Sequence, residues 1–307
     1  MTHLTAGDIY PIATKSETTY GTPTGSYAYY ADLKGDSGNF TPTDAPNPYV
    51  AWRGGRRNYD IVDYVPTNYE AGYTDVLEVE DKAGWEAIVT NALGSTDNSG
   101  IQLLPSRTTA ISVLKGADIA QYDILTYYGC KTDRLEIRAD QPGGIVEFDE
   151  TVLASYSAKS SGASPAVTSA HTMPAVQWVG GVTLDNTAIF PQNLRLSINN
   201  NLGRVKGPVT ANSNKAGTVG LVEGRIEAEL QMDIWMEDLQ AIDENGPGFT
   251  GPAQSHRVEF TLGNGQAVDF EVNCYYMADG QHPGLIQDKQ MQTLRFRACE
   301  IEYTVQA

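Results

Sequence analysis

Leu135-Glu136-Ile137-Arg138, then Gln141-Pro142-Gly143-Gly144, then Val146-Glu147-Phe148-Asp149 follow one another closely in the chain. In the two outer runs apolar residues take every second place. Successive side chains of a strand point to opposite faces, so each run predicts a strand with one buried and one wet face. The proline and paired glycines between them predict the turn of an antiparallel hairpin. The same alternation recurs in Leu194–Ile198, Val258–Leu262 and Ile301–Val305, and Gly263-Asn264-Gly265 marks a second hairpin. An all-β chain of antiparallel strands is expected.

Helical spacing occurs twice. Trp85, Ile88, Val89 and Ala92 fall at i, i+3, i+4 and i+7 behind Asp81, a capping residue, and Trp235, Leu239 and Ile242 fall at i, i+4 and i+7. Each predicts a short helix whose apolar stripe plugs the open side of a sheet layer.

These helices belong to an internal repeat. At an offset of roughly 148 residues, Tyr127-Tyr128 matches Tyr275-Tyr276, Val146 matches Leu294, Phe148 matches Phe296 and Leu153 matches Ile301. Each half runs as a strand, a long polar loop, a returning strand, a Trp helix and a closing set of strands. Residues 49–159 and 160–307 are the expected units, preceded by an extended arm with the first strands over 1–48. Ser160–Ala166, small and Pro-containing, reads as the seam.

Composition excludes several classes. The 307 residues carry a net charge of −17, so the average surface repels phosphate, and tight nucleic-acid binding is not expected. The acid excess also fits a salt-rich host, where exposed charge is screened. No apolar run is long enough for a membrane span, and the start lacks the pattern of a signal peptide. Cys130, Cys274 and Cys299 form no close pair and are expected to be small buried residues. His3, His171, His256 and His282 have no metal-ligand spacing and read as exposed loop residues.

Motifs that spell chemistry fail on context. Gly35-Asp36-Ser37-Gly38 copies the surroundings of a protease serine, but only His3 lies upstream to serve as base. Gly246, Gly248 and Gly251 have dinucleotide-loop spacing, yet Pro247 interrupts them and Pro252 follows. Both read as turns. Glu78, Glu80, Glu227 and Glu229 alternate on wet strand faces without forming an acid/base pair. Arg53, Arg56 and Arg57 have the chemistry to grip phosphate, but in so acidic a chain they are expected to pair with a neighbouring subunit's carboxylates. No catalytic residue, cofactor or metal site is expected.

Three stretches carry a resemblance: Thr19-Tyr20-Gly21-Thr22-Pro23, Tyr128-Gly129-Cys130-Lys131 before Leu135-Glu136-Ile137, and Leu196-Ser197-Ile198-Asn199-Asn200-Asn201-Leu202. With the overall pattern, they resemble the tail tube proteins of tailed bacterial and archaeal viruses. The resemblance implies two tandem β-sandwich domains, each flanked by a helix, whose inner sheets join in a ring-closed β-barrel of six domains. It implies a non-enzymatic virion protein, assembled in the host cytoplasm, that stacks on copies of itself as trimers or otherwise hexamers. Other tail proteins would meet the tube ends, and viral double-stranded DNA would pass without tight binding and without a membrane. The four glutamates above become lumen candidates. By position Asn58–Tyr73 and Asn200–Gly220 become ring-stacking loops, with Asn58, Asp60, Asp63, Tyr64, Asn200, Arg204, Lys206 and Asn212 as contact candidates. The competing readings are a carbohydrate-binding or adhesion module and a secreted hydrolase on a β scaffold.

Overall fold

Alternation continues along most of the chain, and the fold is correspondingly built from strands. The structure, a computed structural model, describes residues 12–33, 40–43, 45–50, 64–79, 82–94, 103–114, 122–165, 167, 178–209, 215–235, 255–262, 268–277 and 291–305. The first half holds β1 (Ile12–Thr19), β2 (Thr22–Pro23), β3 (Ala28–Leu33), β4 (Phe40–Pro42), β5 (Ala45–Val50), β6 (Tyr64–Glu78), α1 (Lys82–Leu93), β7 (Arg107–Leu114), β8 (Tyr122–Ala139), β9 (Val146–Ala154) and β10 (Tyr156–Gly162). The second holds β11 (Trp178–Leu184), β12 (Thr187–Ile189), β13 (Asn193–Asn199), β14 (Gly203–Val209), β15 (Lys215–Val222), β16 (Glu227–Trp235), β17 (Ser255–Leu262), β18 (Val268–Tyr276) and β19 (Met291–Val305).

One long antiparallel sheet crosses both halves in the order β12-β11-β17-β18-β19-β16-β13-β8-β9-β6, with β3 and β4 sharing the far edge of β6. A second sheet runs β10-β8-β7-β1-β3. Strand β8 serves both, because its first part pairs with β7 and β10 and its last part, Arg134–Ala139, pairs with β13, past a bulge between Thr132 and Arg134. A bulge bends a strand and re-aims its far end. The two layers close on a core in which Tyr73 of β6 lies 5.0 Å from Tyr127 of β8 and its hydroxyl donates to Thr109 of β7.

Helix α1 forms where the spacing predicts it. Trp85, Ile88, Val89 and Ala92 are all buried, and Trp85 meets the edge of Phe148 at 4.4 Å. Gly84 lets the helix lie against β3, since a Cβ there would stand 2.5 Å from the Tyr30 carbonyl oxygen. The helix ends at Gly94, whose φ of +85° suits glycine and whose N–H donates to the Thr90 carbonyl.

Other expectations are corrected. Trp235 ends strand β16, in which Ala228, Leu230, Met232 and Ile234 are buried in strict alternation, so period two overrides three residues at helical spacing. Leu239 and Ile242 lie outside the described residues. In the N-terminal region Ile12, Ala13, Tyr30 and Ala31 are buried in the core as parts of the first strands, β1 and β3. The seam is shorter than expected, since Ser160–Gly162 still pair with β8. Cys130 and Cys274 are buried but Cys299 is exposed. His256 sits in β17, 6 % exposed, with Nδ1 2.7 Å from Asp185, where an exposed loop histidine was expected. The hairpin at Gln141–Gly144 forms, with Gly144 N–H donating to the Gln141 carbonyl, and β17 and β18 pair as the hairpin that Gly263–Gly265 predicts.

The strand pairings of the first half recur in the second. β1·β7, β7·β8, β9·β6 and β6·β3 have counterparts in β11·β17, β17·β18, β19·β16 and β16·β13. β9 and β10 together pair along β8, as β19 alone does along β18.

Candidate functional site

The long sheet has one apolar face and one charged face. On the charged face Asp149, Glu136, Ser197, Glu229 and Arg297 stand opposite one another across β9, β8, β13, β16 and β19. The adjoining row is Glu147, Arg138, Arg195, Gln231 and Arg295. Farther along, Glu259, Glu271 and Glu302 are directly opposed on β17, β18 and β19, a like-charge row that Arg257 offsets through contacts of 2.8 Å to Glu259 and 2.6 Å to Glu271.

Glu136 is the centre of this face. Its carboxylate is only 4 % exposed and accepts from Arg134 at 3.0 Å and Arg195 at 2.6 Å, with Arg138 Nε 3.7 Å away. Arg138 also reaches Asp149 at 2.8 Å and Glu147 at 3.4 Å. The bond from Glu136 holds the Arg195 guanidinium more firmly protonated than usual. Two adjoining grooves open beside this cluster. One of about 240 Å³ is lined by Arg134, Glu136, Arg195, Glu229 and Arg295, and one of about 360 Å³ by Arg134, Asn199, Glu227, Glu229 and Arg297.

Of the lumen candidates, Glu227 and Glu229 lie on this face of β16. Glu78 has the same parity on β6 as Val76, which opposes Asp149, and so belongs to that face too. Glu80 lies outside the described residues. The face is mixed in sign.

Where they are described, the expected stacking stretches are largely strand. Tyr64 begins β6 opposite Val50, and most of Asn200–Gly220 is the hairpin β14–β15. Asn200 is 1 % exposed and its Nδ2 donates to the Ala92 carbonyl at 3.0 Å and the Thr132 carbonyl at 2.9 Å, so it closes the end of α1. Arg204 donates to the carbonyls of Ala71 at 2.7 Å and Ala154 at 2.9 Å, and Lys206 meets Glu70 at 2.8 Å. Ser155 donates to the Thr218 carbonyl, and Lys131 meets Glu223 at 2.6 Å. These side chains bind the second half to the first within one chain. Asn58, Asp60, Asp63, Asn212, Arg53, Arg56 and Arg57 lie outside the described residues.

Two clusters have the residue types of chemistry. Cys274, His256 and Asp185 are neighbours, but the Cys274 thiol points at the His256 carbonyl and burial pushes it up to about 12, far from a thiolate nucleophile. In the core, Glu150 accepts from Arg107 at 2.7 Å, from Thr132, and from the Tyr30 hydroxyl at 3.1 Å. Asp75 stands opposite Glu150, 3 % exposed, with no hydrogen-bond partner on either oxygen, and burial and Glu150 hold its carboxyl protonated well above the usual range. This network is sealed from solvent and has no room for a substrate. Among the described residues, no three His, Cys, Asp or Glu side chains group as metal ligands, and no helix is long and apolar enough to cross a membrane.

Sequence reasoning missed Glu136 and Glu150, although both left a signal. Arg134 and Arg138 flank Glu136 two residues away on the same face, and Glu150 continues the buried parity of Val146 and Phe148.

A sheet charged on one side thus runs through both halves. A family model described as phage tail tube protein matches residues 11–298. The chain belongs to that family. A search of curated proteins gives no match. Its role is structural, as a component of a viral tail tube that assembles from copies of itself. The hairpin β14–β15 and Asn200 are therefore devices that hold a tail tube subunit together internally.

Proposed function

We propose that this tail tube protein carries two tandem tube units, that three chains close a ring of six, and that stacked rings form the conduit for the viral genome. The repeated order of strand pairings carries this reading. Strand β8 of the first half pairs with β13 of the second, so the sheet passes unbroken from one unit to the next. Repetition of that junction between chains removes the open sheet edges and closes the barrel. The charged face is assigned to the lumen, with Glu78, Glu227 and Glu229 on it and Glu80 by sequence alone.

Stacking is assigned to the stretches at the hairpin tips, with Asn58, Asp60, Asp63 and Asn212 as contacts. Arg53, Arg56 and Arg57, in the same stretch as the first three, pair with a neighbouring chain. Assembly takes place in the host cytoplasm, where other tail proteins cap the tube ends. Native mass spectrometry of rings released from tubes tests the stoichiometry: three chains are expected, and six overturn the tandem reading. The net charge of −17 further supports a salt-loving host. Unfolding midpoints that do not fall as salt is withdrawn refute that part.

A further inference from the structure

The charged face presents an apparent contradiction for a DNA conduit. In a chain with a net charge of −17, Arg134, Arg195, Arg295 and Arg297 line two grooves on one face, and Arg138 stands opposite Arg195. Arginine forks are the side chains best suited to grip a phosphate backbone, and each phosphate contact adds salt-dependent affinity. A tube wall that gripped DNA in this way would hold it in place.

Glu136 resolves the contradiction. It lies beneath the arginines, 4 % exposed, and Arg134, Arg138 and Arg195 converge on its single carboxylate from β8 and β13. Glu147 and Asp149 hold Arg138 from the other side. A buried carboxylate is screened far less than a surface one and keeps its partners' forks engaged. We infer that Glu136 neutralises the arginine groove, engaging Arg134, Arg138 and Arg195 so that this face does not bind the backbone of duplex DNA. The surface chemistry stands alone, while its benefit to a tube rests on the proposed lumen assignment.

The test is DNA binding by the purified full-length chain, read by fluorescence anisotropy with short duplex DNA. Glu136→Gln keeps the shape of the side chain and removes its charge. At about 50 mM salt it is expected to bind roughly tenfold tighter than wild type or better. With the two freed arginines, Arg134 and Arg195, each on a phosphate, the affinity should fall roughly 12-fold between about 50 and 200 mM salt. Adding Arg134→Gln and Arg195→Gln should return binding to the wild-type level. If Glu136→Gln loses its β circular dichroism, Glu136→Asp, which draws the charge back from Arg134 and Arg195, carries the test and must also gain salt-dependent binding. Folded variants that bind no tighter than wild type overturn the inference, and so does a gain that survives removal of the arginines. The lumen assignment is tested separately by labelling Ser197→Cys in a Cys299→Ser background with a bulky maleimide. Rapid labelling in intact tubes would refute the lumen position while leaving the result for Glu136 standing.

Discussion

In the first half Leu77 of β6 stands opposite Phe148 of β9, and in the second Leu230 of β16 stands opposite Phe296 of β19. Two residues along the same strands the halves part company: Asp75 faces Glu150 in the first, whereas Ala228 faces Ala298 in the second. Around the acids the first half packs Arg107 from β7, Tyr30 from β3 and Thr132 from β8. The second half builds its interior from aromatic contacts, with Phe260 stacked on Phe270 at 5.0 Å and Phe270 near Tyr303 at 6.4 Å. Buried ion pairs commonly contribute no more than a well-packed apolar cluster of the same size. What the network adds is definition, because its groups come from five strands in two sheets and Arg107, Thr132 and Tyr30 all converge on the one Glu150 carboxylate.

The comparison breaks most sharply at Arg107. Arg107→Met leaves the Glu150 charge uncompensated beside Asp75 in a dry core, and a loss of about 3–5 kcal/mol is expected from urea unfolding. Arg297→Met, on the exposed face of β19, should cost under about 1 kcal/mol. Equal losses would show that the buried network has no special standing.

Asp75 sharpens the same contrast through pH. Its carboxyl is held protonated by burial and by Glu150, partly opposed by Arg107, so its folded-state pKa lies above its unfolded one. The stability tied to that proton is complete below the ordinary carboxylate range and is lost as pH rises toward the folded-state value, by at most about 1.4 kcal/mol per pH unit. Asp75→Asn keeps the neutral form at every pH. It should stabilise the chain near neutrality, with a gain that shrinks toward about pH 4. A gain that grows on acidification would show Asp75 to be ionised in the fold.

A smaller effect is expected at the join between the halves. Asn200→Ala removes both bonds to the carbonyls of Ala92 and Thr132 and leaves those oxygens unpaired, at about 1–3 kcal/mol. Urea midpoints within error of wild type would mean that the halves do not depend on this clamp.

Much of this was legible in the sequence wherever a signal is local. The alternation in Leu135–Arg138, Val146–Asp149 and Val258–Leu262 names the strands and their buried faces, and Trp85, Ile88 and Val89 name the helix. Trp235 misled because three apolar residues at helical spacing occur by chance where a strand runs on. The bonds by which Asn200 and Arg204 join the halves were not legible, because their partners are backbone carbonyls of Ala92, Thr132, Ala71 and Ala154, and a carbonyl has no sequence signature.

The finest comparison is between Phe148 and Phe296. If the halves are equivalent units, the two rings occupy one structural position, and a conservative cut at each should cost alike. Phe→Leu keeps the site apolar and nearly filled, so each change should cost about 1–1.5 kcal/mol. The neighbours differ: Phe148 meets the edge of Trp85 at 4.4 Å, whereas Phe296 meets Tyr276 at 5.6 Å and His256 at 6.0 Å. An edge-on aromatic pair contributes about 0.5–1.5 kcal/mol beyond buried area. Phe296→Leu should therefore be the costlier by a few tenths of a kcal/mol, because both Tyr276 and His256 meet it edge-on. Distant sites with no shared partner add to within about 0.5 kcal/mol. The double variant, followed by urea unfolding, should therefore show the sum of the two. A gap between the single changes above about 1 kcal/mol, or a double variant no worse than either, would break the equivalence of the halves.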